Sequence, residues 1–140
     1  MPTGLDILNA VLEKAKTLTE EEYEELYEEA RHRRGPNGEP SYYEQVEMGF
    51  VGQPIERHGV FINAVYRHYK GKEYLVEDIV ADCETCELVV IYEALYKNAV
   101  SQKWSRKLAS FVETLPNGVT KRFELKNAAA VTEAIGEAKQ

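Results

Sequence analysis

Tyr66-Arg67-His68-Tyr69-Lys70-Gly71 is the stretch that decides the fold. It ends a run from Val60 to Tyr69 in which β-branched and aromatic residues alternate, the pattern of a strand with one buried face. Lys70-Gly71-Lys72 reads as a turn and Tyr74 to Ala81 as the returning strand. Cys83 to Glu87 reads as a second hairpin turn. Leu88 to Leu95 is nearly continuous in apolar residues and is expected to be a central strand. Asn98 to Arg106 reads as a polar loop ending near Trp104. Leu108 to Thr114 is expected to hold a helical turn before a strand. Pro116-Asn117-Gly118 is a turn signal, and Val119 to Leu125 follows as the last strand. Short strands with one helical turn before the last of them predict an α+β fold. Its centre is a small, partly open SH3-like antiparallel β-barrel over residues 60–125.

The flanks are helical. Leu5, Ile7, Leu8, Val11, Leu12, Ala15 and Leu18 follow helical spacing, so a first helix is expected from about Leu5 to Leu18. Thr19 with Glu22 forms a capping box for a second helix, whose apolar stripe is Tyr23, Leu26, Tyr27 and Ala30. Glu20, Glu21 and Glu22 suit the positive end of its dipole. Residues 1–34 are therefore expected to form an acidic helical hairpin. Gly35-Pro36-Asn37-Gly38-Glu39-Pro40 is a break rich in turn formers. Residues 35–59 are expected to be a linker or an arm, with Ser41 placed to cap a short helix. Asn127 is placed to cap a short C-terminal helix within residues 126–140.

The chain has 140 residues and a net charge of −7. Residues 1–34 carry nine acids and five bases, whereas residues 64–125 carry nine of each, so much of the acidity lies in the hairpin. An acidic whole argues against nucleic-acid binding, because phosphate repels it at long range. No apolar run is long enough to span a membrane. No basic start followed by an apolar core marks a secretory signal. A cytoplasmic location is expected. Cys83 and Cys86 are spaced C-x-x-C, half of a usual zinc site, but no histidine is spaced to complete one. They are expected to be ordinary turn thiols, and no metal or cofactor is expected.

Tyr66-Arg67-His68-Tyr69-Lys70-Gly71-Lys72-Glu73-Tyr74 resembles the opening of the bacterial and phage family called domain of unknown function 1653. The resemblance continues through Glu84-Thr85, Leu88 to Tyr92, Ala94-Leu95-Tyr96, Trp104 with Arg106, Phe111 and Arg122-Phe123. It covers roughly residues 60–125. The family usually has Ser where Cys83 stands and Pro where Lys107 stands. The resemblance implies a compact domain and brings no activity with it.

Alternation sends Tyr66 and His68 to one face of their strand, and Val65, Arg67 and Tyr69 to the other. Either Arg67 or His68 must then look inward, where a plain core strand would carry an aliphatic residue. Lys97, Lys103, Arg106 and Lys107 flank Trp104 with no acid among them. Arg and Trp together can stack a planar ring and grip an anion. Arg67, His68, Tyr69, Tyr92, Trp104 and Arg106 are thus the expected ligand-binding residues. The simpler alternative is that Trp104 and the tyrosines fill a small barrel and the basic residues form a solvated loop.

No nucleophile elbow, P-loop or dinucleotide fingerprint occurs, so no catalytic residue is expected. A His68–Glu93 pair across strands is the one acid–base pairing the spacing offers. The expected function is a non-catalytic binding module of bacterial or phage origin that holds a small anionic or nucleotide-derived ligand, in the manner of a sponge. The alternative is a protein–protein interaction module using the barrel groove or the helical hairpin. The uncovered stripe on the second helix leads to the expectation of a homo-oligomer.

Overall fold

Val60, Ile62, Ala64 and Tyr66 are all buried, as a period of two on one sheet face requires. They lie on β2 (Val60–His68) of a computed structural model that describes residues 3–6, 9, 10, 13 and 19–138. The chain divides into two compact units, residues 1–43 and 44–140.

In the first unit, α1 (Glu20–His32) begins at the expected capping box. Thr19 Oγ1 accepts the Glu22 N–H at 3.1 Å, and the Glu22 carboxylate accepts the Thr19 N–H at 3.4 Å. Upstream, residues 4–6, 9, 10 and 13 are helical, and Thr3 and Asp6 exchange backbone-to-side-chain bonds of 3.0 and 3.1 Å. The remainder of the expected Leu5–Leu18 helix lies outside the described residues. Beyond α1, the Gly38 N–H donates to the Gly35 carbonyl at 3.0 Å, closing the turn that the Gly-Pro-rich break predicts.

The second unit is built on one six-stranded antiparallel sheet. Its strands are β1 (Phe50–Arg57), β2, β3 (Glu73–Ala81), β4 (Leu88–Ala94), β5 (Lys103–Lys107) and β6 (Phe123–Leu125). They run in the order β1-β2-β3-β4-β5, with β6 also paired to β2. Helix α2 (Tyr42–Met48) leads into β1, α3 (Leu108–Phe111) follows β5, and α4 (Ala128–Ala138) follows β6.

Three expectations are corrected here. The sheet does not close: β5 pairs with β4 alone, so this is an open sheet and not an SH3-like barrel. Residues 50–57, expected in a linker or arm, pair with β2 as a sheet strand. The end of the expected polar loop Asn98 to Arg106 instead belongs to the edge strand β5, Lys103–Lys107. Its exposed lysines are the polar flank that an edge strand commonly carries.

A bulge keeps the inner face continuous. Val76 pairs with Tyr92 but Asp78 pairs with Ile91, leaving Glu77 as the extra residue. The side-chain phase of β3 therefore flips, and Ile79 points inward like Val76 although the two differ in parity. Phe111 of α3 and Val131 of α4 cover this face at 1% and 0% exposure. Asn127 caps α4 as expected, its Oδ1 accepting the Ala130 N–H at 3.1 Å.

Candidate functional site

Register decides which of Arg67 and His68 looks inward. Tyr66 stands opposite both Tyr74 and Leu125, and His68 stands opposite Phe123. Tyr66 is 6% exposed and packs edge-on against Phe111, so the even positions of β2 face the core. The His68 ring lies 5.0 Å from that of Phe123, edge to face. Arg67 turns to the outer face and pairs with the Glu73 carboxylate at 3.2 Å. Tyr69 is exposed just past the strand end.

The same parity runs through β4 and β5. Tyr92 stands opposite Trp104, and Val90 opposite Arg106. Tyr92 is 5% exposed and touches the rings of Tyr74, Phe111 and Phe123, so it is a wall of the core. Trp104 donates its Nε1–H to the Ser101 carbonyl at 2.8 Å. Arg106 donates to Ser110 Oγ at 3.1 Å and holds its guanidinium 5.5 Å from the centre of the Phe123 ring. Its Nε is buried and meets no acceptor among the described residues. The six expected residues therefore separate: His68, Tyr92, Trp104 and Arg106 share the inner face, whereas Arg67 and Tyr69 do not. Glu93, set opposite Leu75 and Lys103, is on the outer face, so parity keeps it from His68.

The half-buried His68 is the electrostatic centre of this face. Burial, followed by the charges of Arg106, Lys70 and Arg122, holds its pKa below the usual imidazole value. Its Nδ1 accepts the Lys70 N–H at 3.2 Å, which leaves the proton of the neutral ring on Nε2. Arg122 pairs with Glu113 at 3.0 Å, while its buried Nε has no acceptor among the described residues. For Arg106, no carboxylate lies in ion-pair range among the described residues. Close by, Tyr74 and Tyr96 join their hydroxyls at 2.7 Å, with Asn98 Nδ2 donating to Tyr96 at 3.3 Å. Lys72 Nζ sits 4.7 Å above the Tyr96 ring. Burial and then the Tyr96 bond raise the Tyr74 phenol above its ordinary value, and Arg106 opposes the rise. Lys70, Tyr74, Tyr96 and Arg122 thus join the site without having been singled out for it by sequence. For all four a signal existed, since each stands in the motif series quoted above.

Arg67, His68 and Tyr69 also line an open cleft of about 410 Å³ together with Lys121, Glu124 and Lys126. Two of its cations are already matched, because Arg67 lies 3.2 Å from Glu73, and Lys126 lies 3.3 Å from Glu73 and 3.8 Å from Glu47. The acids Glu77 and Asp78 pair with Lys103 and Arg57 at 3.0 and 3.7 Å. Cys83 and Cys86 are free, exposed thiols in a turn whose N–H groups bond Asp82. Among the described residues no three metal-ligating side chains cluster. No helix among them is long and apolar enough to cross a membrane.

The model of a protein family of unknown function, DUF1653, matches residues 64–125. A crystal structure of a DUF1653 protein from Bordetella bronchiseptica is 41% identical to this chain. The match covers 42% of this chain and 78% of that one, with a TM-score of 0.39. The chain belongs to DUF1653. No curated protein matches it. The DUF1653 segment holds all six expected site residues, together with Lys70, Tyr74, Tyr96 and Arg122, whereas β1 and α4 lie outside it.

Proposed function

We propose that this chain is a non-catalytic binding module that holds a small anionic ligand against the inner face of its sheet. The observation that carries the reading is the set of cations acting on His68. Arg106, Arg122 and Lys70 all bear on it, and among the described residues the one carboxylate paired within the set is Glu113. Like charges brought together at a partly buried place repel, and an anion relieves that repulsion while gaining charge-assisted hydrogen bonds. Guanidinium groups suit phosphate in particular, because their planar fork matches its oxygens. Aromatic rings flanking the cations add surface for a planar group, which makes a nucleotide-derived compound the favoured class.

Calorimetry against cyclic and linear nucleotides tests this, with inorganic phosphate as the smallest probe. Saturable heat with the wild type and at least tenfold weaker binding to Arg106→Met are expected, the share of a charge-assisted hydrogen bond. No heat with any member of the panel refutes the reading.

A second reading is supported by α1. Tyr23, Leu26 and Tyr27 share one side of it and are 57%, 49% and 50% exposed. Contact between copies of the chain through this stripe would cover them. Light scattering of the full chain is expected to show an oligomer that Leu26→Glu dissociates. A wild-type monomer at high concentration eliminates this second reading and leaves the first untouched.

A further inference from the structure

A second cleft, of about 260 Å³, opens between β2, α3 and β6, and its walls include Val60, Phe61, Tyr66, Phe111 and Phe123. Phe111 and Phe123 stack at 4.3 Å and 11°, and Tyr66 meets Phe111 edge-on at 5.2 Å and 71°. Rings so fixed present a rigid apolar surface. Among its walls the Tyr66 hydroxyl is a buried group with an incomplete set of bonds. The Tyr66 oxygen accepts the Phe61 N–H at 3.0 Å, and its own proton has no acceptor among the described residues. Tyr66 is only 6% exposed, and a buried donor left without a partner is destabilising.

We infer that this cleft is a binding site for a small uncharged molecule that has one flat ring and presents a hydrogen-bond acceptor to the Tyr66 hydroxyl. The size follows from the volume, which lies below the range that holds drug-sized ligands. The absence of charge follows from the rim, where Lys121 and Glu124 offer one charge of each sign. The donor role is secure at neutral pH, because burial pushes the Tyr66 phenol up to about 12 and keeps it protonated. The site differs in chemistry from the cation set around His68, although Phe123 contributes to both.

The experiment compares acetophenone with α-methylstyrene, which has the same shape but a methylene in place of the carbonyl oxygen. Each is titrated into the isotope-labelled full chain while amide signals are followed by NMR. Acetophenone is expected to shift Phe61, Val112 and Ala128 saturably. α-Methylstyrene is expected to bind about threefold to tenfold more weakly, the share of one net hydrogen bond. Tyr66→Phe should bring the two probes to equal affinity. Val112 is at the rim and 50% exposed, so Val112→Phe fills the cleft without disturbing the core and should abolish both titrations. Should Tyr66→Phe fail to fold, the probe pair and Val112→Phe still decide. Equal affinity of the two probes for the wild type, no saturable shift with either, or shifts that survive Val112→Phe would overturn the inference.

Discussion

Gly49 and Gly52 offer a matched pair of perturbations. Both have positive φ, +108° and +77°; Gly49 immediately precedes the first pair of β1 with β2, Phe50 with Ala64, and Gly52 lies in the irregular stretch between that pair and Ile55 with Ile62. They differ in what a side chain would meet. An alanine Cβ at Gly49 would lie 2.9 Å from the Cβ of Asn127, whereas at Gly52 nothing lies within 4 Å. Gly52→Ala should therefore show the conformational penalty alone, about 1 kcal/mol. At Gly49 the φ is far from any region that L-residues favour, for about 2 kcal/mol. Its Cβ also displaces Asn127, whose amide donates to the Met48 carbonyl at 3.2 Å and whose Oδ1 caps α4. Loss of that cap adds about 1 kcal/mol. The expected totals are about 3 kcal/mol for Gly49→Ala and about 1 kcal/mol for Gly52→Ala. Urea unfolding followed by Trp104 fluorescence reads the unit that contains both. With an m-value near 1.5 kcal/mol/M, Gly49→Ala should lower the midpoint by about 2 M. Equal midpoints for the two variants would refute the close approach of α4 to the start of β1.

Two further outcomes are expected. In an NMR titration His68 should lose its proton below the ordinary midpoint of about 6.5, and Arg106→Gln should move that midpoint up. A depressed imidazole pKa means the unfolded chain takes up the proton first. Stability is then present above about pH 6.5 and is lost as pH falls through the window down to the folded value. His68→Gln should flatten that slope, and an unchanged slope would count against the burial and charge described. Phe111→Ala should cost about 3–5 kcal/mol, because the ring is fully buried and stacked. A loss under about 1 kcal/mol in denaturant unfolding would mean that α3 does not cover the core.

Much of the sheet was legible because its strands obey a simple period. Val60, Ile62, Ala64 and Tyr66 keep a period of two along β2, although Val65 between them is buried as well, and the hairpins that follow carry recognisable turns. The two helix caps, Thr19 with Glu22 and Asn127, were legible for the same reason: both are local. What escaped depended on partners distant in the chain. β1 contains Gly52 and Pro54, which usually mark a break, and only its pairing with Ile62 and Ala64 makes it a strand. β5 was hidden because its inward residues are Trp104 and Arg106, and an arginine on the core side erases the apolar half of the pattern. The choice between Arg67 and His68 rested on the register of β3 and β6 against β2. Lys70 and Arg122 reach His68 from a turn and from the residue before β6, a convergence no spacing rule contains.

Arg106 is where stability and binding make opposite demands, and that opposition can be measured. A guanidinium on the inner face gives up water. Phe123 and Ser110 compensate in part, and the buried Nε adds an unpaired donor. A methionine at this position keeps the unbranched stem and the contact with Phe123, and removes both the charge and the unpaired atom. Arg106 is partly buried, and replacing a poorly compensated cation at such a place by an apolar chain of similar length is commonly neutral or stabilising. If Arg106 is kept for a ligand, Arg106→Met should leave stability unchanged or raise it by up to about 1 kcal/mol, while anion binding is lost. If Arg106 instead holds α3 through Ser110, the same variant should lose about 1–2 kcal/mol. Unfolding midpoints for wild type and Arg106→Met without ligand separate the two roles. A clear destabilisation would assign this arginine to the fold and remove the main support for an anion site on the inner face.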